Sequence, residues 1–139
     1  MSLNSLQHFL VRASNLDDTR TFYEDVLGLR DGDRPDFPFP GHWLYLGDVP
    51  VVHLVEEGFD KDFASYMGRE VGEARAHGNT GPIDHIAFDA SDLEGMRKRI
   101  AGLGIDSHEQ GIDMLRQIFI RDPNGITIEL NFLTASAAE

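Results

Sequence analysis

The chain has 139 residues, 41% hydrophobic and 26% charged, which is typical of one soluble globular domain. It contains no cysteine, so disulfides, thiolate metal sites and cysteine nucleophiles are excluded. Its formal net charge of −12 argues against nucleic acid, because that binding depends on phosphate neutralisation, and against anionic membrane surfaces.

The chain contains an internal repeat. The first copy begins LQHFLVRASNLDDTR (6–20) and the second begins IDHIAFDASDLEGMR (83–97). At an offset of 77 residues, His8 matches His85. Self-similarity of this kind indicates one folding module present twice.

The ends of the two copies also match. At an offset of 76 residues, LGDVPVVHLVE (46–56) aligns with DPNGITIELNF (122–132). This alignment places His53 opposite Glu129. The change of one residue in the offset indicates a loop deletion.

The first copy predicts a strand, a helix and three further strands. Residues 6–13 are mainly apolar and are predicted to form the first strand, and Ser14 followed by Asp17 is typical of a helix cap and its first turn. Apolar residues at helical spacing continue to Gly28, with Tyr23 in the core. The three strands are predicted at Leu29–Asp33, His42–Leu46 and Val51–Val55.

The second copy follows the same order. After a strand at 83–90, Ser91 and Glu94 predict the start of a helix that Gly104 ends. The sequence DPNG predicts a hairpin between the last two strands. The strands are predicted at about Ile105–Glu109, Leu115–Ile120 and Thr127–Phe132.

The sequence therefore predicts an α+β protein of two tandem βαβββ modules in a single domain, residues 1–139. Module one is predicted at 5–58 and module two at 82–133. The connector at 59–81 is expected to begin with a short helix and to end in a flexible segment.

Glu129 lies on an otherwise apolar strand, ITIELNF. Alternation places it with Thr127 and Asn131 on one face, and the apolar residues Ile128, Leu130 and Phe132 on the other. We expect the polar face to line a cleft. An unpaired carboxylate buried there costs several kcal/mol, a cost that a metal would remove.

Four potential ligands occupy matching positions of the two copies: His8, His53, His85 and Glu129. If the two sheets face each other, these side chains can meet on a pseudo-twofold axis. Such donors suit Fe(II), Mn(II), Zn(II), Ni(II) or Co(II). His8, His85 and Glu129 alone would form the two-histidine, one-carboxylate set of non-haem iron oxygenases.

The chain resembles the vicinal-oxygen-chelate superfamily, which includes glyoxalase I, methylmalonyl-CoA epimerase, fosfomycin and bleomycin resistance proteins, and extradiol dioxygenases. The resemblance spans about 5–133 and is carried by LQHFLVRASNLDDTRTFYEDVLGL, VVHLVE, GPIDHIAFDASDLEGMRKRI and FIRDPNGITIELNF. It implies a cupped mixed sheet around a divalent metal, with His8, His85 and Glu129 as ligands.

Among these members, an Fe(II)-dependent extradiol dioxygenase of a catechol-like diol is our first hypothesis. Bacterial glyoxalase I has glutamate and the epimerases have glutamine where this chain has His53. His53 is therefore expected to accept a catechol proton or to act as a fourth ligand. Phe119 departs from the pattern, because many extradiol enzymes have tyrosine there.

Two alternatives stay open. One is a nickel, zinc or manganese lyase or isomerase acting on an α-hydroxy or thioester carbonyl through an enediolate, with Glu129 or His53 moving the proton. The other is a non-catalytic protein that sequesters a drug or metabolite in the cleft.

The substrate pocket is expected to have an aromatic wall suited to a flat apolar molecule. These rings could instead cover a sheet edge or an interface. His42 and His108 are expected at the surface, and Asp84 is expected to point away from His85. The candidate pocket residues are Phe37, Phe39, Trp43, Tyr45, Arg116, Gln117 and Phe119.

The expected partners are a small substrate with vicinal oxygens and a second copy of the chain, in a homodimer that could exchange modules. The opening residues lack the pattern of a secretory signal, and no apolar run approaches the ~20 residues of a membrane span. We therefore expect a cytoplasmic protein.

Overall fold

The computed structural model describes residues 2–70 and 80–134. The chain divides into two compact units, Met1–Ala74 and Arg75–Glu139. Part of the predicted connector, 71–79, lies outside the described residues. None of the described helices is long and apolar enough to cross a membrane.

The first unit is a four-stranded mixed sheet with two helices. Its strand order is β1-β4-β3-β2, with β1 parallel to β4 and the other pairs antiparallel. The short connector helix predicted after β4 is confirmed. The elements are β1 (Phe9–Ala13), α1 (Leu16–Asp25), β2 (Arg30–Gly32), β3 (Gly41–Leu46), β4 (Val49–Glu56) and α2 (Asp60–Met67).

The second unit repeats this sheet, with one helix in its described part, 80–134. Its strand order is β5-β8-β7-β6, and β5 is parallel to β8. The elements are β5 (Ile86–Ala90), α3 (Leu93–Gly102), β6 (His108–Ile112), β7 (Leu115–Arg121) and β8 (Thr127–Leu133).

The pairing register confirms the repeat. Leu10 pairs with His53 in the first sheet, and Ala87 pairs with Glu129 in the second. These are the pairs that the sequence alignment makes equivalent. The α+β architecture of two βαβββ modules is therefore confirmed, as two four-stranded mixed sheets.

Both repeat helices begin one residue later than the sequence predicted. The caps are Asn15, whose side chain accepts a hydrogen bond from the backbone of Asp18, and Asp92, whose side chain accepts one from Gly95. The serine caps were therefore wrong. The reason is that a short polar side chain with a carbonyl or carboxylate oxygen is available one residue further on in each copy.

Strand β6 begins at His108, three residues after the predicted Ile105. The backbone N–H of Ile105 instead closes the helix end by donating to the carbonyl of Ile100, over 3.0 Å. Gly104 makes this turn possible with φ of +67°, so its predicted role as helix terminator is confirmed. Gly28 ends α1 in the same way, with φ of +74°.

Each sheet buries one apolar face. On β8, Ile128, Leu130 and Phe132 are buried while the alternate residues remain partly exposed, as predicted. In the first unit Tyr23 of α1 is fully buried, as predicted. Strand β4 is buried on both faces from Val52 to Val55, because side chains also cover the face that carries His53.

Candidate metal centre

His8 and His53 stack on each other in the first unit. His8 lies directly before β1, not within it as predicted, and is two residues from Leu10, which pairs with His53. Alternation therefore puts both imidazoles on one face of the sheet. The ring centroids are 3.6 Å apart and the rings are nearly parallel.

Trp43 covers the other face of the His53 ring. It pairs with His53 across β3 and β4, and the two ring centroids are 4.2 Å apart. His8, His53 and Trp43 thus form a continuous ring stack. His53 is only 8% exposed in its centre.

This environment keeps His53 neutral. The pKa of His53 is lowered to about 4, mainly by burial and also by the nearby charges of His8 and Arg34, which outweigh a hydrogen bond to the Pro50 backbone that raises it. A neutral imidazole keeps a lone pair that can bind a metal or accept a proton.

The His53 ring nitrogen with that lone pair can be identified. Proline has only a backbone acceptor, so the ring donates to the Pro50 carbonyl. Among the described residues, Nε2 of His53 is buried with no hydrogen-bond partner, which assigns the donating nitrogen as Nδ1. An unsatisfied buried polar atom costs about 1–3 kcal/mol, and a metal at Nε2 would remove that cost.

His85 and Glu129 form the corresponding pair in the second unit. Nε2 of His85 lies 3.5 Å from Oε1 of Glu129. The Glu129 side chain is 12% exposed, whereas that of His85 is 39% exposed. Phe119, opposite Glu129 on β7, meets the His85 ring edge-on at 6.4 Å.

A chain of amide side chains fixes the other oxygen of Glu129. Asn131 donates to Oε2 of Glu129 at 2.8 Å, Gln117 donates to Asn131 at 3.0 Å, and Gln110 donates to Gln117 at 2.9 Å. Oε1 is thereby directed to the His85 side. Sequence reasoning named Gln117 and placed Asn131 on the polar face with Glu129, but it missed Gln110, whose alignment depends on the strand register.

The residue before each exposed histidine holds its ring. Nδ1 of His8 donates to Oε1 of Gln7 at 2.9 Å, and Nδ1 of His85 donates to Oδ1 of Asp84 at 2.9 Å. The hydrogen bond to Asp84 is the main cause of a raised pKa of His85. The expectation that Asp84 points away was therefore wrong, and Gln7 was missed.

The donor set fits a divalent metal. In all three histidines a protein oxygen holds Nδ1 and leaves Nε2 as the ligating nitrogen, an arrangement typical of metal-binding histidines. Within 2–70 and 80–134, no ready-made cluster of three or more such side chains is present. The donors are present as one pair in each unit.

The predicted aromatic wall lies mainly against α2. Phe39 is buried with Val55 and Phe63, and Phe37 stacks on Phe39 at 5.4 Å. Phe37 also contacts Trp43, with centroids 6.3 Å apart, so the wall joins the ring stack.

Two further candidate pocket residues, Tyr45 and Arg116, donate hydrogen bonds to backbone carbonyls of their own units. Tyr45 donates to the backbone carbonyl of Asp33 at 2.6 Å. Arg116 donates to two carbonyls of its own β6–β7 hairpin, at Asp113 and Leu115. His108 is exposed as predicted, but it pairs with Phe119 and so shares the face of Glu129.

The family model of the Glyoxalase/Bleomycin resistance protein/Dioxygenase superfamily matches residues 5–130. The chain belongs to this superfamily. Its members typically bind a divalent metal and small-molecule substrates.

Two curated relatives are similar over most of the chain. Glyoxylase I 4 of Arabidopsis thaliana is 29% identical over 94% of this chain and 71% of its own length. Lactoylglutathione lyase of Pseudomonas putida is 26% identical over 88% of this chain and 82% of its own length.

Solved structures share the fold. A glyoxalase family protein of Bacillus anthracis has a TM-score of 0.72 at 16% identity, covering 96% of this chain and 98% of its own. Lactoylglutathione lyase of Agrobacterium tumefaciens has a TM-score of 0.68 at 20% identity, covering 94% of each chain.

Proposed function

We propose that the protein is a divalent-metal-dependent lyase or isomerase that moves a proton between adjacent carbons of a small substrate. The relatives named Glyoxylase I 4 and Lactoylglutathione lyase support this reaction class. They do not support our first hypothesis, an extradiol dioxygenase. The second name points to a 2-hydroxyacyl thioester as the substrate or product class.

The observation that carries this proposal is the setting of Glu129. One carboxylate oxygen is held by Asn131, and the other is open on the side of His85. A fixed, largely buried carboxylate whose open oxygen is released from metal ligation can take a proton from a carbon beside a carbonyl and return it to the neighbouring carbon. No electrons are gained or lost in this transfer, so no oxidant is needed.

We propose His8, His85 and Glu129 as metal ligands, with His53 as the fourth. The metal would supply Lewis-acid polarisation of a substrate carbonyl. Because the pKa of His53 is about 4, its Nε2 is ready to bind a metal at neutral pH without losing a proton. The same value makes His53 a weak proton acceptor, which favours the ligand role over the acid-base role.

The reaction class changes the expected metal. Sequence reasoning favoured Fe(II) for its oxygen chemistry, whereas proton transfer requires only a Lewis acid. Zn(II), Ni(II), Mn(II) or Co(II) therefore take precedence. A homodimer and a cytoplasmic location stay predictions, the former because family members often dimerise.

The decisive experiment starts with elemental analysis of untagged protein purified anaerobically. The protein is then supplied with hemithioacetals of 2-oxoaldehydes, which are isomers of 2-hydroxyacyl thioesters, and thioester formation is followed by ultraviolet absorbance. We expect one metal per chain and turnover without oxygen uptake. Oxygen uptake with a catechol panel, and no thioester, would restore the dioxygenase hypothesis.

Two variants separate the roles of the histidines. His85→Ala should abolish stoichiometric metal binding with little change in circular dichroism. His53→Gln should lower metal affinity if His53 is a ligand. Unchanged affinity with lost turnover would instead make His53 an acid-base group.

A further inference from the structure

Arg34 lies beside the ring stack of the first unit and has no role in the proposed proton transfer. Its guanidinium carbon lies 5.0 Å from the Phe37 ring centroid and 5.5 Å from that of Phe39. Phe37 in turn contacts Trp43, which stacks on His53. A continuous path of ring contacts therefore joins this cation to the candidate metal centre.

The missing side chain at Gly41 leaves room for the guanidinium of Arg34. A Cβ atom on Gly41 would lie 2.8 Å from Nη2 of Arg34 and 2.1 Å from the carbonyl oxygen of Leu54. Gly41 lies two residues from Trp43 on β3, so this space opens on the face that carries His53. Any side chain at this position would collide with the guanidinium or with the backbone, so only glycine accommodates Arg34 here.

The guanidinium is held by the two stacked rings on one side and by one hydrogen bond. Nη2 donates to the backbone carbonyl of Phe39 at 3.0 Å, while Nε is buried with no hydrogen-bond partner among the described residues. Asp36 attracts the charge at longer range, but the described part of the chain provides no ion pair to Arg34. A desolvated guanidinium of this kind is an unusual feature in a chain of net charge −12.

We propose that Arg34 binds a carboxylate group of the substrate. The two stacked rings lie on one side of the guanidinium, so its remaining N–H donors are what a ligand can meet, and their planar arrangement matches a planar carboxylate. The proximity of Asp36 favours a singly charged ligand over a phosphate dianion. That the carboxylate belongs to the substrate rests on the proposed function, whereas binding at Arg34 does not.

Trp43 provides a direct readout, because it is the only tryptophan in the chain. Metal-free, full-length protein is titrated with glutarate, with the uncharged glutaramide and with inorganic phosphate, and tryptophan emission is recorded. The protein is used without metal so that glutarate cannot bind to a metal at the candidate metal centre. Arg34→Met keeps an apolar stem against the rings, and Arg34→Lys keeps the charge without the planar fork.

Arg30→Met is the matched control. Arg30 also lies over an aromatic ring, 5.0 Å from the Tyr45 centroid, but it is exposed on the edge strand β2. The same charge is therefore removed from the same unit. Thermal unfolding followed by circular dichroism identifies any variant that fails to fold.

We expect a saturable response to glutarate in the wild type and in Arg30→Met. Arg34→Met should weaken it at least about tenfold, as expected for loss of a charged hydrogen bond, and Arg34→Lys should weaken it less. If Arg34→Met fails to fold, the test rests on folded Arg34→Lys. A lower affinity for glutarate than in the wild type supports the proposal, and an equal affinity overturns it.

Four results would overturn the proposal: no saturable response to glutarate, equal affinity in wild type and Arg34→Met, equal loss in Arg30→Met, or preference for phosphate or glutaramide. The proposed lyase activity is tested separately. If glutarate binding depends on Arg34 but the protein gives no thioester turnover, the proposed lyase activity is contradicted and the proposed carboxylate site at Arg34 stands.

Discussion

At the scale of single residues, the hydrogen bond that orients each histidine ring matters as much as the presence of the histidine. Asp84 holds Nδ1 of His85 at 2.9 Å and so directs Nε2 outward. Outer hydrogen bonds of this type typically contribute 10- to 100-fold to metal affinity. Asp84 is itself highly exposed, so solvent weakens its hydrogen bond and the lower end of that range applies.

We therefore predict that Asp84→Ala lowers metal affinity about tenfold. Affinity is measured by competition with a chromogenic chelator at pH 8. Asp25→Ala removes an equal charge from an exposed position of helix α1 and should bind metal as the wild type does. Equal affinity in both variants would show that Asp84 does not position His85.

The sequence was sufficient to identify the candidate ligands but not their supports. His8, His53, His85 and Glu129 stand out because the repeat makes them equivalent in pairs. The bond from His85 to Asp84 joins adjacent residues, and alternation alone predicts that neighbours point to opposite faces. This rule failed because His85 precedes β5 and is not inside a strand.

At the scale of elements, Asp122 organises the hairpin between β7 and β8. Its side chain accepts hydrogen bonds from the backbone N–H groups of Asn124 at 2.9 Å and Ile126 at 2.8 Å. The residue is only 4% exposed. The loop therefore fixes the register in which Glu129 pairs with Ala87 and Phe119.

We predict that Asp122→Ala lowers the free energy of unfolding by about 2–3 kcal/mol, because it leaves two loop N–H donors without their acceptor. Urea denaturation of the metal-free protein measures the change. Asp106→Ala, at an exposed position before β6, is the control and should stay within about 0.5 kcal/mol. Similar losses in both would argue against this role of the loop.

Elements were predicted more reliably than their boundaries. The DPNG hairpin was predictable because a turn needs few specific residues, and Gly125 adopts φ of +82° as expected. The start of β6 was not, because a helix-closing turn follows Gly104 and uses residues whose composition suits a strand equally well. The aromatic run from Phe37 was assigned to the pocket, whereas α2 accounts for much of its burial.

At the scale of the whole molecule, the repeat predicted the topology of both units. Its consequence for function is a division of the proposed ligands: His8 and His53 belong to the first unit, and His85 and Glu129 to the second. Neither pair alone provides the three protein ligands of a typical catalytic metal site. The proposed ligand set therefore predicts that tight binding depends on donors of both units.

This requirement predicts how the metal changes the stability of the full chain. A ligand that binds only the folded state stabilises it by about 2.7 kcal/mol when its free concentration is 100 times Kd. Zn(II) or Ni(II) should therefore raise the melting temperature by several degrees with one ion per chain, and a chelator should reverse the shift. Calorimetry on metal-loaded and metal-free protein measures both quantities.

The single variants give the sharpest form of this prediction. His8→Ala, in the first unit, and His85→Ala, in the second, should each strongly reduce the shift, because each removes one of the proposed ligands. His108→Ala is the control, since this exposed histidine is not a proposed ligand. A shift retained in either ligand variant, or two ions per chain, would mean that the pairs bind metal independently.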